Sequence, residues 1–160
     1  MREEMLLPLT RAEEAGKKPV RLVRAAARIA VIAPWPDKYK CLFVRHQSKG
    51  LELPGGAIDP GETPLEAGLR ELGEEAGIQL PQDQNFTLIT MTPIRDHRGG
   101  SWLDIVYGIL IAPSQMTQQQ EPELPVRWLT ASEIEKEVNR QMSSYAAALA
   151  ALKDCSRWNK

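Results

Sequence analysis

Only two of the 160 residues are cysteines, and Cys41 and Cys155 stand far apart in the chain with no CxxC spacing. That argues against a disulfide or a cysteine zinc site; one buried strand thiol and one free thiol near the C-terminus are expected instead. Histidine is as scarce. His46 and His97 make neither an HExxH zinc pattern nor a triad, so each is expected to be structural or solvent-facing. Charge of one sign is missing too: 20 Lys and Arg against 21 Asp and Glu leave a net charge of −1. That gives no bulk basic footprint for a nucleic-acid polymer, although single cations can still line a pocket. Long hydrophobic runs are absent. The most apolar stretch, residues 25–35, is interrupted by Arg28 and is too short to span a bilayer. The opening MREEMLLPLT places acids where a secretory leader needs basic residues. A cytoplasmic location, with no membrane and no nucleic-acid partner, is the expectation.

What is present suits one domain with a real core: 42% apolar and 26% charged residues over this length. Residues 1–19 read as a peripheral segment, with Thr10 to Glu13 as a capping box for a short helix ending near Gly16. Residues 20–160 read as the single domain. VRLVRAAARIAVIA (20–33) predicts a strand, Pro34-Trp35-Pro36-Asp37 a turn, and YKCLFVRH (39–46) a second strand in a hairpin with the first. A short strand follows at 51–53. Residues 86–94 and 102–112 predict two further strands, joined by a polar turn at 95–100. Residues 115–125 (QMTQQQEPELP) are polar and bounded by proline, with a mobile look. Arg127-Trp128-Leu129 predicts a last strand. Thr130 or Ser132 is placed to cap a helix over 133–138, and another is expected over 144–152. Strands, one central helix, more strands and terminal helices imply an α/β sandwich with a mixed sheet.

The most informative stretch is GAIDPGETPLEAGLRELGEEAGI, residues 56–78. Thr63 is placed to cap a helix, with Pro64 first and Glu66 at the third position, and Gly77 is placed to end it. Gly73 inside that helix is costly by about 1 kcal/mol against alanine and suggests close backbone packing. Leu65, Leu69, Leu72 and Ala76 form a stripe suited to burial. Glu71, Glu74 and Glu75 fall within an arc of about 100° on the other side, the solvent side. Carboxylates packed so closely repel one another unless a cation lies between them, which suggests a hard-metal site. A solvated helix face is the bland alternative.

The pattern G-x5-E-x7-R-E-L-x-E-E-x-G-I is filled by Gly56, Glu62, Arg70, Glu71, Leu72, Glu74, Glu75, Gly77 and Ile78. With its Leu53-Pro54-Gly55-Gly56 lead-in, it resembles the signature of the Nudix hydrolases over 23 contiguous residues. The resemblance implies an α/β/α sandwich of Nudix type. It also implies a reaction: water attack on phosphorus in a nucleoside diphosphate linked to a further group. Mg²⁺, with Mn²⁺ also suitable, would be held by Glu71, Glu74, Glu75 and the Gly56 carbonyl. Glu62 would support, and Arg70 would pair with a carboxylate and orient it. The general base is either a signature glutamate or an acid of a later loop, here Glu121 or Glu123. Arg45 stands where a basic residue contacts phosphate in the family, and a surface arginine is an equal account.

The group carried by the substrate is not fixed by these residues. Pro93, 16 positions after Gly77, resembles a marker of the ADP-ribose branch. The compact loop after Arg45 resembles the branch that cleaves nucleoside triphosphates. Trp35, Trp102 and Tyr107 are candidates to stack on a base, with core packing as the alternative. A silent nucleotide-sensing module and a hydrolase of non-nucleotide diphosphates remain as alternatives. A homodimer is compatible with these residues but not demanded by them.

Overall fold

The structure is a computed structural model that describes residues 24–81, 83–96 and 98–158. The peripheral segment 1–19, its capping box and His97 lie outside the described residues.

β1 (Arg24–Trp35) is the spine of the sheet. Its residues alternate between two buried faces, Ile29 and Val31 toward one layer, Ala30 and Ile32 toward the other. The small alanines let helical layers approach closely. A two-residue turn at Pro36-Asp37 leads to β2 (Lys38–His46), which pairs antiparallel to β1 with Trp35 opposite Lys38. The strand thus runs through Trp35, two residues beyond the predicted end, and the turn is tighter than expected. β3 (Gly50–Glu52) folds back on β2, and β4 (Gly55–Ala57) pairs with β1. β4 was not expected, because GGA has no strand propensity; tertiary pairing creates it.

The central helix, α1 (Pro64–Ala76), follows, then the short β5 (Ile78–Gln79). β6 (Thr87–Arg95) and β7 (Ser101–Leu110) form the expected hairpin. β7 also lies parallel to β1, so the sheet is mixed, in the order β3-β2-β1-β7-β6. β8 (Thr117–Gln118) pairs with β5, and β9 (Val126–Leu129) with β2. Residues 115–125 are therefore held against the body rather than standing off it. α2 (Ala131–Glu137) begins at a Thr130–Glu133 capping box, two residues earlier than expected, and α3 (Ser143–Asp154) follows.

Leu72 and Ala76 of α1 cover Ile29, Val31, Leu42 and Val44 on one face of the sheet. Ile134, Ala147, Ala148 and Ala151 of α2 and α3 cover Ile32 and Phe43 on the other. The result is an α/β/α sandwich, as expected. Cys41 is buried as expected, and Cys155, a free thiol as expected, is buried too, joining the same core beneath α3. Burial raises both thiols above their ordinary range. Among the described residues no helix is long and apolar enough to cross a membrane.

Candidate active site

The local chemistry of α1 fixes where its acids go. Thr63 Oγ1 accepts from Glu66 N at 3.2 Å and Glu66 Oε2 from Thr63 N at 3.0 Å, a complete capping box. Gly77, at φ 70°, ends the helix in the left-handed region. The close packing expected of Gly73 is absent, since a Cβ there would meet nothing within 4 Å. Gly68 plays that part instead: a Cβ would fall 2.8 Å from Ile29 Cδ1, so the helix sits tight on β1 at this point.

Pressed against β1, the helix turns its acids toward β4. Gly55 N donates to Glu75 Oε1 at 2.8 Å. A Cβ on Gly56 would fall 2.6 Å from Glu71 Oε1, so only glycine lets that carboxylate rest against the turn. The three signature acids do not share one environment. Glu74 is nearly half exposed, Glu71 partly covered, and Glu75 buried at 6% exposure. The solvent-facing position expected for all three is corrected for Glu75, which the β4 turn covers.

Arg70 is the cation between several of these groups. It donates Nε to Glu62 Oε2 at 2.9 Å and Nη1 to Glu71 Oε1 at 2.9 Å. Nη1 also reaches Glu74 Oε2 at 3.4 Å, and Nη2 donates to the Ala57 carbonyl at 3.1 Å. The guanidinium holds Glu62 below the usual carboxylate range through its hydrogen bond, and its own proton is bound more firmly still. One arginine thus ties the loop before α1 to the acidic face.

Behind Glu75 lies a second charged group that local spacing did not reveal. His46 Nε2 stands 3.1 Å from Glu75 Oε2 and 3.4 Å from Glu52 Oε2, without the alignment of a hydrogen bond to either. Arg28 Nη1 lies 3.6 Å from Glu52 Oε2, and Arg28 Nε donates to Asp104 Oδ1 at 3.0 Å. Ser143 Oγ donates to Asp104 Oδ2 at 2.6 Å. Burial, followed by the negative charge of Glu71 and Glu52, raises Glu75 to about 7, against the opposing pull of Gly55 N–H and Arg28. The only sequence signal for this group was the presence of His46 and Glu52 on neighbouring strands.

In front of the Gly55–Gly56 turn opens a cleft of about 460 Å³. Arg28, Lys49 and Arg95 supply positive charge around it, Glu52 and Asp96 supply negative charge, His46 adds an imidazole, and Ile94, Trp102 and Met142 supply apolar wall. Arg24 lies over the Trp102 ring at 5.6 Å, and Trp102 Nε1 donates to Asp96 Oδ2 at 2.9 Å. Trp102 is thus at the cleft. Trp35 is not; it packs on Trp128 with centroids 5.4 Å apart. Tyr107 packs against the α1-side core.

The remaining candidates do not line this cleft. Arg45 is exposed, and alternation along β2 puts it on the sheet face opposite His46. Glu121 and Glu123 are both on the surface. Glu123 N donates to the Glu74 carbonyl at 3.3 Å, at the C-terminal end of α1. Glu121 lines a different cavity with Ala76, Ile78 and Trp128. Pro93 lies exposed in β6, an edge strand whose outer side needs no N–H donor.

A sandwich built on β1, with an acidic helix held to a double-glycine turn, defines the class, and comparison with known proteins agrees. The chain belongs to the Nudix family, whose NUDIX domain model matches residues 24–149. The 8-oxo-dGTP diphosphatase of Escherichia coli is 51% identical over 43 residues, 27% of this chain and 31% of that protein. An 8-oxo-dGDP phosphatase of Mus musculus is 30% identical over 102 residues, 60% of this chain and 29% of its own length. The chain spans less than a third of the length of the curated relatives it matches. The NUDIX domain of Shewanella oneidensis NrtR, solved with ADP ribose, shares the fold at a TM-score of 0.68. That likeness covers 96% of this chain and 98% of the other at 19% identity.

Proposed function

We propose that the protein is a metal-dependent hydrolase that cleaves a diphosphate bond in a nucleoside diphosphate derivative by water attack on phosphorus. The observation that carries this reading is the convergence of Glu71 and Glu75 on the Gly55–Gly56 turn at the floor of a cation-rimmed cleft.

The donor set suits a hard divalent cation. Glu71 and Glu75 offer carboxylate oxygens at the glycine turn, and the Gly56 carbonyl would add a further oxygen donor. Glu75 is also crowded by Glu71 and Glu52, a surplus of negative charge that a cation would relieve. Among the described residues no three His, Cys, Asp or Glu side chains enclose a metal by themselves. Mg²⁺ or Mn²⁺ would suit such partial coordination, because these ions keep several waters, and when bound would supply an acidified water. Glu71, Glu75 and the Gly56 carbonyl would hold the ion, with Glu74 at the solvent edge.

The chain's own residues supply the rest. Arg70 fixes Glu71 and Glu62, so the acidic face is set before substrate arrives. Lys49 and Arg95 offer charge to the diphosphate, and Trp102 an aromatic face to a base. Arg45 contributes only if the substrate wraps round the sheet edge. Water activation is assigned to the signature acids, because neither Glu121 nor Glu123 lines the cleft at the glycine turn.

The relatives named above act on 8-oxo-dGTP and 8-oxo-dGDP, and the NrtR domain binds ADP ribose. The test is therefore a screen of these compounds, ordinary nucleoside triphosphates, dinucleoside polyphosphates and NADH with Mg²⁺ or Mn²⁺. Metal-dependent release of a nucleoside monophosphate supports the reading. Binding without cleavage of any of them overturns it in favour of a sensing module.

A further inference from the structure

The C-terminal end of α1 is an unfavourable place for acids. The last carbonyls of a helix lack partners and carry partial negative charge, so cations are favoured there. Yet the last turn holds Glu74 and Glu75 and no basic residue. Residues 118–124 offset this. Gln120 Nε2 donates to the Gly73 carbonyl at 3.0 Å, and Gln118 Nε2 to that of Ala76 at 3.4 Å. Backbone N–H groups of Glu123, Leu124 and Gln119 donate to the carbonyls of Glu74, Glu75 and Gly77 at 3.3, 3.1 and 2.9 Å. Every carbonyl from Gly73 to Gly77 therefore accepts an N–H from this one segment.

The segment is itself anchored. β8 pairs Gln118 with Ile78, and Arg45 N donates to the Pro125 carbonyl at 2.9 Å. Gln118 Nε2 also donates to the Gln120 backbone carbonyl at 2.7 Å, bracing the Gln118 side chain against the segment's own backbone. Gly77 leaves the room this needs, because a Cβ there would collide with the Gln118 amide and the Gln120 carbonyl.

We propose that residues 118–124 form a clamp that sets the rotation of the last turn of α1, with Gln118 and Gln120 as positioning residues for Glu74 and Glu75. A one-residue slip of a helix swings a side chain by about 100°, so a frayed last turn would take Glu75 away from the Gly55 N–H. The clamp acts through carbonyls and touches no substrate. Its effect on turnover rests on the function proposed above; its effect on the helix does not.

The test uses the full chain and the variants Gln118→Leu, Gln120→Leu, Gln120→Glu and Gln120→Lys. Leucine fills the volume without a donor, glutamate keeps the shape and loses the donor, and lysine restores donors and adds a cation where the helix end favours one. In the metal-free protein, amide exchange at Glu75, Ala76 and Gly77 is expected to speed up about five- to tenfold in the first three variants. Exchange at Ile29 and Val106 is expected to hold, and Gln120→Lys to return to the parent rate. Calorimetry with Mg²⁺ alone is expected to show affinity weakened about threefold or more in the donor-less variants. Unchanged exchange in all variants overturns the clamp, as does a loss in Gln120→Lys equal to that in Gln120→Glu. A parent protein that cleaves no diphosphate would sink the proposed function, while the exchange data would still decide the clamp.

Discussion

Gly55 donates its backbone N–H to Glu75 Oε1 at 2.8 Å, which joins the turn before α1 to the last turn of the same helix, 20 residues on. The bond holds a carboxylate in a place that otherwise disfavours its charge. Glu75 is buried, faces Glu71 and Glu52, and takes up a proton near pH 7.

Stability of the metal-free protein should therefore fall as pH rises from about 4.5 to about 7. In that window folded Glu75 binds a proton that the unfolded chain has already released, because its value rises from 4.5 to about 7 on folding. Below the window both states are protonated and the penalty is absent; above it the penalty is complete. Thermal melts of the metal-free protein against Glu75→Gln, from pH 4.5 to 8.5, measure this. The variant should melt higher by a few degrees at the alkaline end and equally at the acidic end. Addition of Mg²⁺ at pH 8 should raise the melting temperature of the parent and not of the variant. Turnover of Glu75→Gln should be lost by about 100-fold or more, since its amide is a poor metal ligand.

Gly56→Ala should reduce activity far more than stability. The added Cβ meets the end of the Glu71 side chain, which can swing outward, so the fold survives while the carboxylate leaves the turn. An activity loss of about tenfold to 100-fold is expected, with the unfolding free energy changed by no more than about 1 kcal/mol. Steady-state kinetics beside a urea melt would check both, and full activity would show that Glu71 need not rest on the turn.

Arg70→Lys should behave almost as badly as Arg70→Ala. The planar guanidinium serves Glu62, Glu71, Glu74 and the Ala57 carbonyl together, whereas an ammonium cannot span that fork. Removing the charge leaves partly covered carboxylates facing one another, so a loss of about 1–3 kcal/mol is expected, larger in low salt. Urea melts at two ionic strengths distinguish this from a simple loss of packing.

The helix that carries these acids was legible in the sequence because its signals are local. Thr63, Pro64 and Glu66 mark its start, Gly77 its end, and the spacing of Leu72 and Ala76 its buried side. Those signals placed all three acids away from the core, but could not show that β4 would cover Glu75. β4 forms from two glycines and an alanine only because β1 offers an edge. The four residues Cys41 to Val44 are all buried, one pair on each face of the sheet. Periodicity along β2 therefore could not tell which of Arg45 and His46 faces the helix, and the family's habit favoured Arg45. The clamp was hidden for a similar reason: QMTQQQEPELP has the composition of a loose loop, and only the unfilled carbonyls of α1 give its amides a purpose.

Two glycines of α1 should respond in opposite ways to alanine. Gly73 has helical geometry, open space where a Cβ would go, and a carbonyl that keeps its partners whatever the side chain. Gly73→Ala should stabilise the protein by about 0.5–1 kcal/mol, the difference in helix propensity, with activity retained. Gly77 lies at φ 70°, where an L-residue is strained, and its Cβ would strike the clamp backbone at the Gln120 carbonyl. Gly77→Ala should therefore cost about 2 kcal/mol or more and loosen the end of the helix, since the backbone carbonyl cannot swing aside as a side chain would. Urea midpoints for the two variants decide the matter. A destabilised Gly73→Ala would mean that something fills the space beside it, and an unaffected Gly77→Ala would mean that the clamp does not bear on the helix end.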